Sequence, residues 1–288
     1  MQAIKSYQLQ TEHPITSFEI KTMEEVYQKN EGKIDKPHRH EYYTILIVKR
    51  AKGVHKIDFK DYHLAPLQVF FLSPGQVHQL IEHEQSYGWI ITFAGDFLVE
   101  YGVKECFFSD INLFRAVGDT EPLAISRDLY DTLEGFCKQM QFCFDQKSKF
   151  SYEAASAYLK LLLIECNDVC VLPSGQEQAN NAGFELLRKF KLLVKGNFRK
   201  NHKVGDYASQ LHITADYLNK VVKQTIGITA KEYIIETLLL EIKRLLFYTN
   251  MASKEIAYEL GFTDPAYFSS FFKKQTGKSL SNFKKGLR

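Results

Sequence analysis

Residues 206–230, "DYASQLHITADYLNKVVKQTIGITA", and residues 256–280, "IAYELGFTDPAYFSSFFKKQTGKSL", carry one pattern twice. Each reads as a short helix, a tight turn and a second helix. In the later copy Gly261 suits a turn that needs positive φ. Asp264 followed by Pro265 reads as a helix start, with an acceptor at the cap and then a residue needing no N–H partner. Phe268, Phe271 and Phe272 lie at i, i+3, i+4 and form an apolar face, which turns Ser269, Ser270, Lys273 and Lys274 outward. The earlier copy aligns Ala208, Leu211, Ile213 and Thr214 with Ala257, Leu260, Phe262 and Thr263. Its turn is one residue shorter and has His212 where the later copy has glycine. Leu218, Val221 and Val222 then face inward, Asn219, Lys220 and Lys223 outward, and Asp216 and Tyr217 stand at the helix start.

The segment between the copies, "TAKEYIIETLLLEIKRLLFYTN", can form one helix. At 1.5 Å per residue it would be about 30 Å long, and successive major-groove faces of a duplex lie about 34 Å apart. Two heads on such a strut can enter adjacent major-groove segments from one side. Charge agrees. Residues 183–288 hold 19 Lys/Arg against 9 Asp/Glu, a net of +10, while residues 1–182 hold 18 against 25, a net of −7. A basic module on an acidic body points to a polyanion partner. Ordinary packed helical hairpins with a solvated face are the plainer alternative, and the repetition, spacing and charge together weigh against it.

The front of the chain has a different grain. Between residues 38 and 95, "YYTILIVK", "VHKIDF", "QVFFLS", "QVHQLI" and "GWIITF" alternate with turn signals at Lys52-Gly53, Pro66 and Ser73-Pro74-Gly75. Short strands at that spacing predict a small all-β sandwich or barrel. From Asp128 the spacing becomes helical, with Leu129, Leu133, Phe136 and Met140 on one stripe. Residues 173–182, within the polar "PSGQEQANNAG", read as a linker. The expectation is a two-domain α+β chain: residues 1–172 a barrel with trailing helices, residues 183–288 an all-α module.

At 45% hydrophobic and 25% charged residues, the composition is that of an ordinary globular protein. No apolar run is long enough for a spanning helix. The start lacks a basic patch followed by an apolar stretch, which predicts a cytoplasmic protein without membrane association. Cys106, Cys137, Cys143, Cys166 and Cys170 are odd in number and lack CxxC spacing, which fits reduced, mostly structural thiols. No G-x-S-x-G, phosphate-binding glycine loop, H-E-x-x-H or zinc-finger spacing occurs.

"LHITADYLNKVVKQTIG" and "ELGFTDPAYFSSFFKKQTGKSL" resemble the DNA-binding domain of the AraC family of bacterial transcription regulators. The resemblance implies that Asp216, Asn219 and Lys220 read bases from the first recognition helix. Pro265, Ala266, Ser269 and Ser270 would do so from the second, while Lys273 and Lys274 meet phosphates. The chain departs from the pattern where two serines stand in place of a common arginine, and at Glu236 and Ile242 of the connecting helix. Because Arg–guanine pairs are the commonest specific contacts, the second head is expected to contribute little base readout.

"PHRHEYYTILIVKRAKG" and "LAPLQVFFLSPGQVHQL" resemble the cupin-type barrel at the front of many such regulators, where it senses a small molecule. The likeness rests on His38-x-His40, a glycine at 53 and Pro74-Gly75-x-x-His78. Enzymatic cupins add a carboxylate to such histidines to hold a metal. Here Thr44 and Ile45 stand where it is expected, and Glu41 falls on the wrong side of the strand. The expected effector-binding group is therefore His38, His40, Tyr42, His78 and Trp89, with the histidines hydrogen-bonding rather than holding a metal, and with no cofactor and no catalysis. A metal-dependent cupin enzyme with a helical appendage is the competing reading. The two helices after residue 128 are expected to pair the chain into a homodimer, with double-stranded DNA, a small-molecule effector and RNA polymerase as partners.

Overall fold

The computed structural model describes residues 5–7, 18–29, 35–103, 107, 111, 113–114, 121–146, 149–170 and 181–286. The chain divides into two compact units, Lys5–Leu172 and Pro173–Arg288. Most of the expected linker, with Cys106 and much of the segment before residue 35, lies outside the described residues.

Among the described residues of the first unit, ten strands form two five-stranded sheets. One has the order β1 (Lys5–Tyr7), β3 (His38–His40), β8 (Val77–Glu82), β5 (Gly53–Ile57), β6 (Lys60–Leu64). The other runs β10 (Leu123–Ala124), β7 (Gln68–Leu72), β4 (Tyr43–Arg50), β9 (Tyr87–Phe93), β2 (Phe18–Thr22). Neighbours pair antiparallel except β1 with β3. The sheets face each other across an interior filled by Leu46, Val48, Phe70 and Leu72 of one and Ile57 and Leu64 of the other. Helix α1 (Met23–Lys29) adds Met23 to that interior.

The second sheet is covered on its other face as well. Ile45, Ile47, Val69, Phe71, Trp89, Ile91 and Phe93 pack against α2 (Phe97–Glu100), α3 (Arg127–Asp145) and α4 (Ser151–Val169). Burial on both sides explains why "TILIV" and "VFFL" are continuous apolar runs rather than alternating ones. β5, with one face only half-buried, keeps the alternation. Gly53 opens β5 at φ 152°, and a Cβ there would sit 2.0 Å from the Ile81 carbonyl oxygen, so only glycine fits.

Helix α3 starts at Ser126, whose side chain accepts from the Leu129 N–H. Its deepest line is Tyr130, Leu133, Cys137 and Met140. Leu129 and Phe136 flank this line rather than centre it, a rotation of the expected stripe by one residue. The helix meets both the sheet and α4, so a broader face is covered. Cys137 and Cys166 are fully buried thiols, with their pKa pushed up by burial. No helix among the described residues is long and apolar enough to cross a membrane.

The regular elements among the described residues of the second unit are helices: α5 (Asn181–Asn197), α6 (Val204–Gln210), α7 (Ala215–Ile226), α8 (Ala230–Tyr248), α9 (Ser253–Glu259), α10 (Pro265–Thr276) and α11 (Leu280–Gly286). It has two cores, one per repeat. Leu187, Phe190, Tyr207, Ala208, Leu218 and Val222 form the first. Ile256, Ala257, Leu260, Phe262, Phe268 and Phe272 form the second. Helix α8 belongs to both, giving Ala230 and Ile234 to the first and Leu238, Ile242, Leu245 and Leu246 to the second. Truncating a fully buried phenylalanine such as Phe268 or Phe272 to Ala would cost about 3–5 kcal/mol.

Candidate functional site

The two repeats fold alike. After α6 the Ile213 N–H bonds the Ala208 carbonyl at 3.0 Å, and after α9 the Phe262 N–H bonds the Ala257 carbonyl at 2.9 Å. The central turn residue has φ 56° at His212 and φ 75° at Gly261. The earlier copy thus holds a non-glycine residue in the left-handed region, while the later copy has no room for one. A Cβ on Gly261 would lie 2.2 Å from the Arg199 carbonyl oxygen.

Each recognition helix has its own cap. Thr214 accepts from the Tyr217 N–H at the start of α7, and Asp264 accepts from the Ala266 N–H ahead of Pro265 at the start of α10. Along α7, Leu218, Val221 and Val222 are buried, and Asp216, Tyr217, Lys220 and Lys223 are exposed. Asn219 is half-buried, and its Oδ1 accepts from the Lys231 N–H at 3.2 Å. That oxygen therefore helps anchor the start of α8. On α10, Ala266, Ser269, Ser270, Lys273 and Lys274 are exposed, with Pro265 half-buried. The Ser269 hydroxyl donates to the Pro265 carbonyl at 2.9 Å, so its proton is directed at the helix itself. Tyr267, 63% exposed beside them, is an aromatic surface that reasoning from the sequence passed over.

The strut between the heads is 19 residues, hence about 28 Å long. It begins with a reciprocal cap: the Thr229 side chain accepts from the Glu232 N–H, and Glu232 accepts from the Thr229 N–H at 2.7 Å. Ile242, one of the two departures noted in this helix, is fully buried in the second core and serves packing. Glu236 is exposed.

In the first unit, β3 and β8 place His38 directly opposite His78. One ligand atom from each of His38, His40 and His78 lies within 4.8 Å of the others. Ring centroids are 4.3 Å apart for His38 and His78 and 4.8 Å for His40 and His78. Tyr42 stacks on His40 at 4.4 Å. His40 Nδ1 is 3.0 Å from the Thr44 hydroxyl, so the residue standing where a carboxylate was expected orients this imidazole. His38 Nδ1 faces two acceptors, the Lys36 carbonyl at 2.8 Å and the Asp35 carboxylate at 3.1 Å, and so carries the proton.

His55 joins the group from β5. Its Nε2 is 3.2 Å from His78 Nδ1, and its ring meets Phe70 edge-on inside the barrel. Burial, and then the charge of His38, hold both His40 and His55 down to about 3. Burial followed by its three histidine neighbours holds His78 well below the usual range. These rings are neutral at neutral pH.

Trp89 is the expected pocket residue that the fold places elsewhere. Strand periodicity turns it with Ile91 and Phe93 towards α3 and α4, on the face of its sheet opposite the barrel interior. Ile90 takes the inward position. Tyr43 faces the same way as Trp89 and packs on Phe93 at 5.4 Å.

The AraC-like ligand binding domain family matches residues 27–163, and a helix-turn-helix domain family matches residues 207–286. The chain is 27% identical over 255 residues to the HTH-type transcriptional regulator YfiF of Bacillus subtilis, covering 86% of this chain and 78% of that one. It is 24% identical over 253 residues to the HTH-type transcriptional activator RhaS of Pectobacterium carotovorum, covering 84% and 86% respectively. The structure of ToxT from Vibrio cholerae aligns with a TM-score of 0.42 at 16% identity, over 93% of this chain and 97% of that one.

A ligand-binding β-domain followed by a doubled helix-turn-helix defines a DNA-binding transcription regulator with a small-molecule-binding domain. The chain belongs to the AraC family of such regulators.

Proposed function

We propose that the protein acts in the cytoplasm as a homodimeric regulator, with residues 1–172 sensing the effector and residues 183–288 reading DNA. The first head contributes most of the base readout through Asp216, Tyr217, Asn219, Lys220 and Lys223. The second contributes mainly phosphate contacts through Lys273 and Lys274, while Pro265, Ala266, Ser269 and Ser270 lie against the groove. The observation that carries this reading is the shared strut. One helix of 19 residues, about 28 Å long, packs into both cores between two capped recognition helices, a length that supports their entering successive major-groove faces about 34 Å apart.

The effector enters the histidine-lined end of the barrel, where His38, His40, Tyr42 and His78 meet. Its binding shifts the arm before residue 30 or the helices α3 and α4, and so changes how two readers are presented to DNA and to RNA polymerase. Such a shift requires different affinities for the two arrangements.

The test is DNA binding by the full chain as a function of salt. Affinity is expected to fall along a log–log line whose slope is about −0.9 per neutralised phosphate. Replacing Lys273 and Lys274 by Ala should weaken all sequences alike and flatten that slope. Replacing Lys220 by Ala should instead erode discrimination by about 1–3 kcal/mol. A folded full chain without salt-sensitive duplex binding would remove the reading.

A further inference from the structure

We propose that the cleft between the outer face of the second sheet and the first turns of α3 is a second small-molecule site, which takes an aromatic monocarboxylate. It lies on the side of that sheet away from the barrel interior, and so goes beyond the reading of the histidine-lined end as the sensing site.

Three observations carry it. The first is a space of suitable size. A cavity of about 490 Å³ opens where the end of β4, the start of β9, the start of α1 and the first turns of α3 meet. Pockets for small molecules commonly span about 300–1,000 Å³. Trp89, which lines the cavity, packs with Ile91 and Phe93 on the α3 side of the sheet, whereas Ile90 of the same strand faces the barrel. The sheet itself therefore separates this cleft from the histidines.

The second is the wall. Tyr87, Trp89 and Tyr130 line the cleft, and of these Trp89 and Tyr130 are buried. Cations stand over two of the rings. Arg50 is 4.5 Å from the Tyr87 ring, while Lys49 and Arg127 are 5.6 Å and 5.8 Å from that of Tyr130. The negative face of a ring holds a cation in place, and a stacked guanidinium keeps its N–H fork free to point along its own plane. Among the described residues, the Arg50 fork has no ion pair and no hydrogen bond.

The third is charge. Lys49, Arg50 and Arg127 stand against Glu24 and Glu134, an excess of one positive charge along the lining. Both carboxylates are already engaged. Glu24 accepts from the Gly88 N–H at 3.2 Å. Glu134 accepts from Lys49 at 3.1 Å, from the Tyr130 hydroxyl at 3.0 Å and from Lys138 at 2.7 Å. Arg127 pairs with Asp131 at 3.0 Å. Arg50 is thus the cation placed to receive an acid.

These features select the ligand. A carboxylate meets a guanidinium fork through two parallel hydrogen bonds, and a ring attached to it lies against tyrosine and tryptophan. A phosphate dianion would exceed the single excess charge, and an amine would be repelled by Arg50 and Arg127.

Trp89 is the single tryptophan of the chain, so its fluorescence reports on this cleft directly. The full chain is titrated with phenylacetate and, as controls, phenylacetamide, phenethylamine and inorganic phosphate, with calorimetry for stoichiometry and thermal melting as a further readout. Phenylacetate is expected to change Trp89 emission saturably at one molecule per chain and to raise the melting temperature. The three controls should do neither. Arg50→Ala should weaken phenylacetate binding about tenfold, Arg50→Lys should recover part of the loss, and added salt should weaken binding by the wild type. Arg50 is exposed, so unchanged melting of the unliganded variant separates lost binding from unfolding. Arg127→Ala, also at an exposed position, provides a second variant with the same expected direction. No saturable response to phenylacetate, an equal response to any control, or wild-type binding by both arginine variants overturns the proposal. Binding abolished by His40→Ala and untouched by Arg50→Ala would place the acid in the barrel, which overturns this site and leaves the sensing reading intact.

Discussion

The guanidinium of Arg199 donates to the buried carboxylate of Glu241 at 2.9 Å. Arg199 follows α5 and Glu241 lies within α8, so the pair ties the entrance of the reading unit to its strut. Arg244 stands 3.5 Å from the same carboxylate, and Glu259 lies 3.8 Å from Arg199.

Breaking a fully buried pair costs about 3–5 kcal/mol. Arg199 is 46% exposed, and Arg244 remains beside Glu241, so solvent and the second cation reduce the loss. Arg199→Ala is expected to destabilise the reading unit by about 1–2 kcal/mol. A double-mutant cycle with Glu241→Gln, followed by urea unfolding, measures the coupling directly. Coupling indistinguishable from zero would mean that Arg244 alone satisfies the carboxylate.

The two turn residues should respond unequally to substitution. Gly261→Ala adds a Cβ 2.2 Å from a backbone oxygen at φ 75°, a clash on top of the roughly 1–2 kcal/mol cost of the left-handed region. His212→Gly relieves that cost at φ 56°, offset by the greater chain entropy of glycine in the unfolded state. Thermal melting should show a large loss for Gly261→Ala and a small change for His212→Gly. Similar behaviour of the two variants would contradict the close approach of Arg199 to the second turn.

These contrasts show which features were legible in the sequence. The repeat, its caps and its buried faces are local, so "LHITADYL" and "ELGFTDPAYF" disclosed the heads with little ambiguity. The histidine pair His38 and His78 was also visible, because each sits in a recognisable turn-bounded segment. His55 was not. Its partnership with His78 depends on β5 lying beside β8 across two intervening strands, and nothing local encodes that neighbour. Trp89 was misplaced for a related reason. Period-two alternation groups it with Ile91 and Phe93, but which side of that sheet the helices cover is decided only by the folded chain. The engagement of Asn219 with Lys231 is likewise a contact between two helices that no single segment reveals.

Glu134 supplies a pH-dependent link between α3 and the second sheet. Lys138 at 2.7 Å, together with Lys49 at 3.1 Å and the Tyr130 hydroxyl at 3.0 Å, holds its carboxyl down to about 2 against the opposing effect of burial. A depressed carboxylate stabilises the fold above its unfolded value near 4.5, and that contribution is lost as pH falls through about 2. Lys138 is exposed and Lys49 half-buried, so the discounted effect is about 1–2 kcal/mol. Glu134→Gln should therefore destabilise the first unit at pH 7 and close the gap with wild type as pH falls from 4.5 to 2. A constant difference across that range would assign the loss to packing.

The homodimer prediction turns on α3 and α4. Phe142, at 58% exposure, and Leu161, at 44%, are large apolar side chains on these helices. Phe150, between the helices, and Val169 at the end of α4 are exposed at 59% and 43%. A two-fold pair would present the same helix surfaces twice and cover their apolar side chains against each other. Placing a carboxylate there should prevent association, because a desolvated unpaired charge costs far more than a lost methyl contact. The full chain is expected to sediment as a dimer at micromolar concentration, and Leu161→Glu or Phe142→Glu as a monomer with unchanged circular dichroism. The monomer should bind a two-site operator with a steep loss of avidity while keeping its affinity for a half-site. A wild type that sediments as a monomer, or glutamate variants that remain dimeric, would move the interface off these helices.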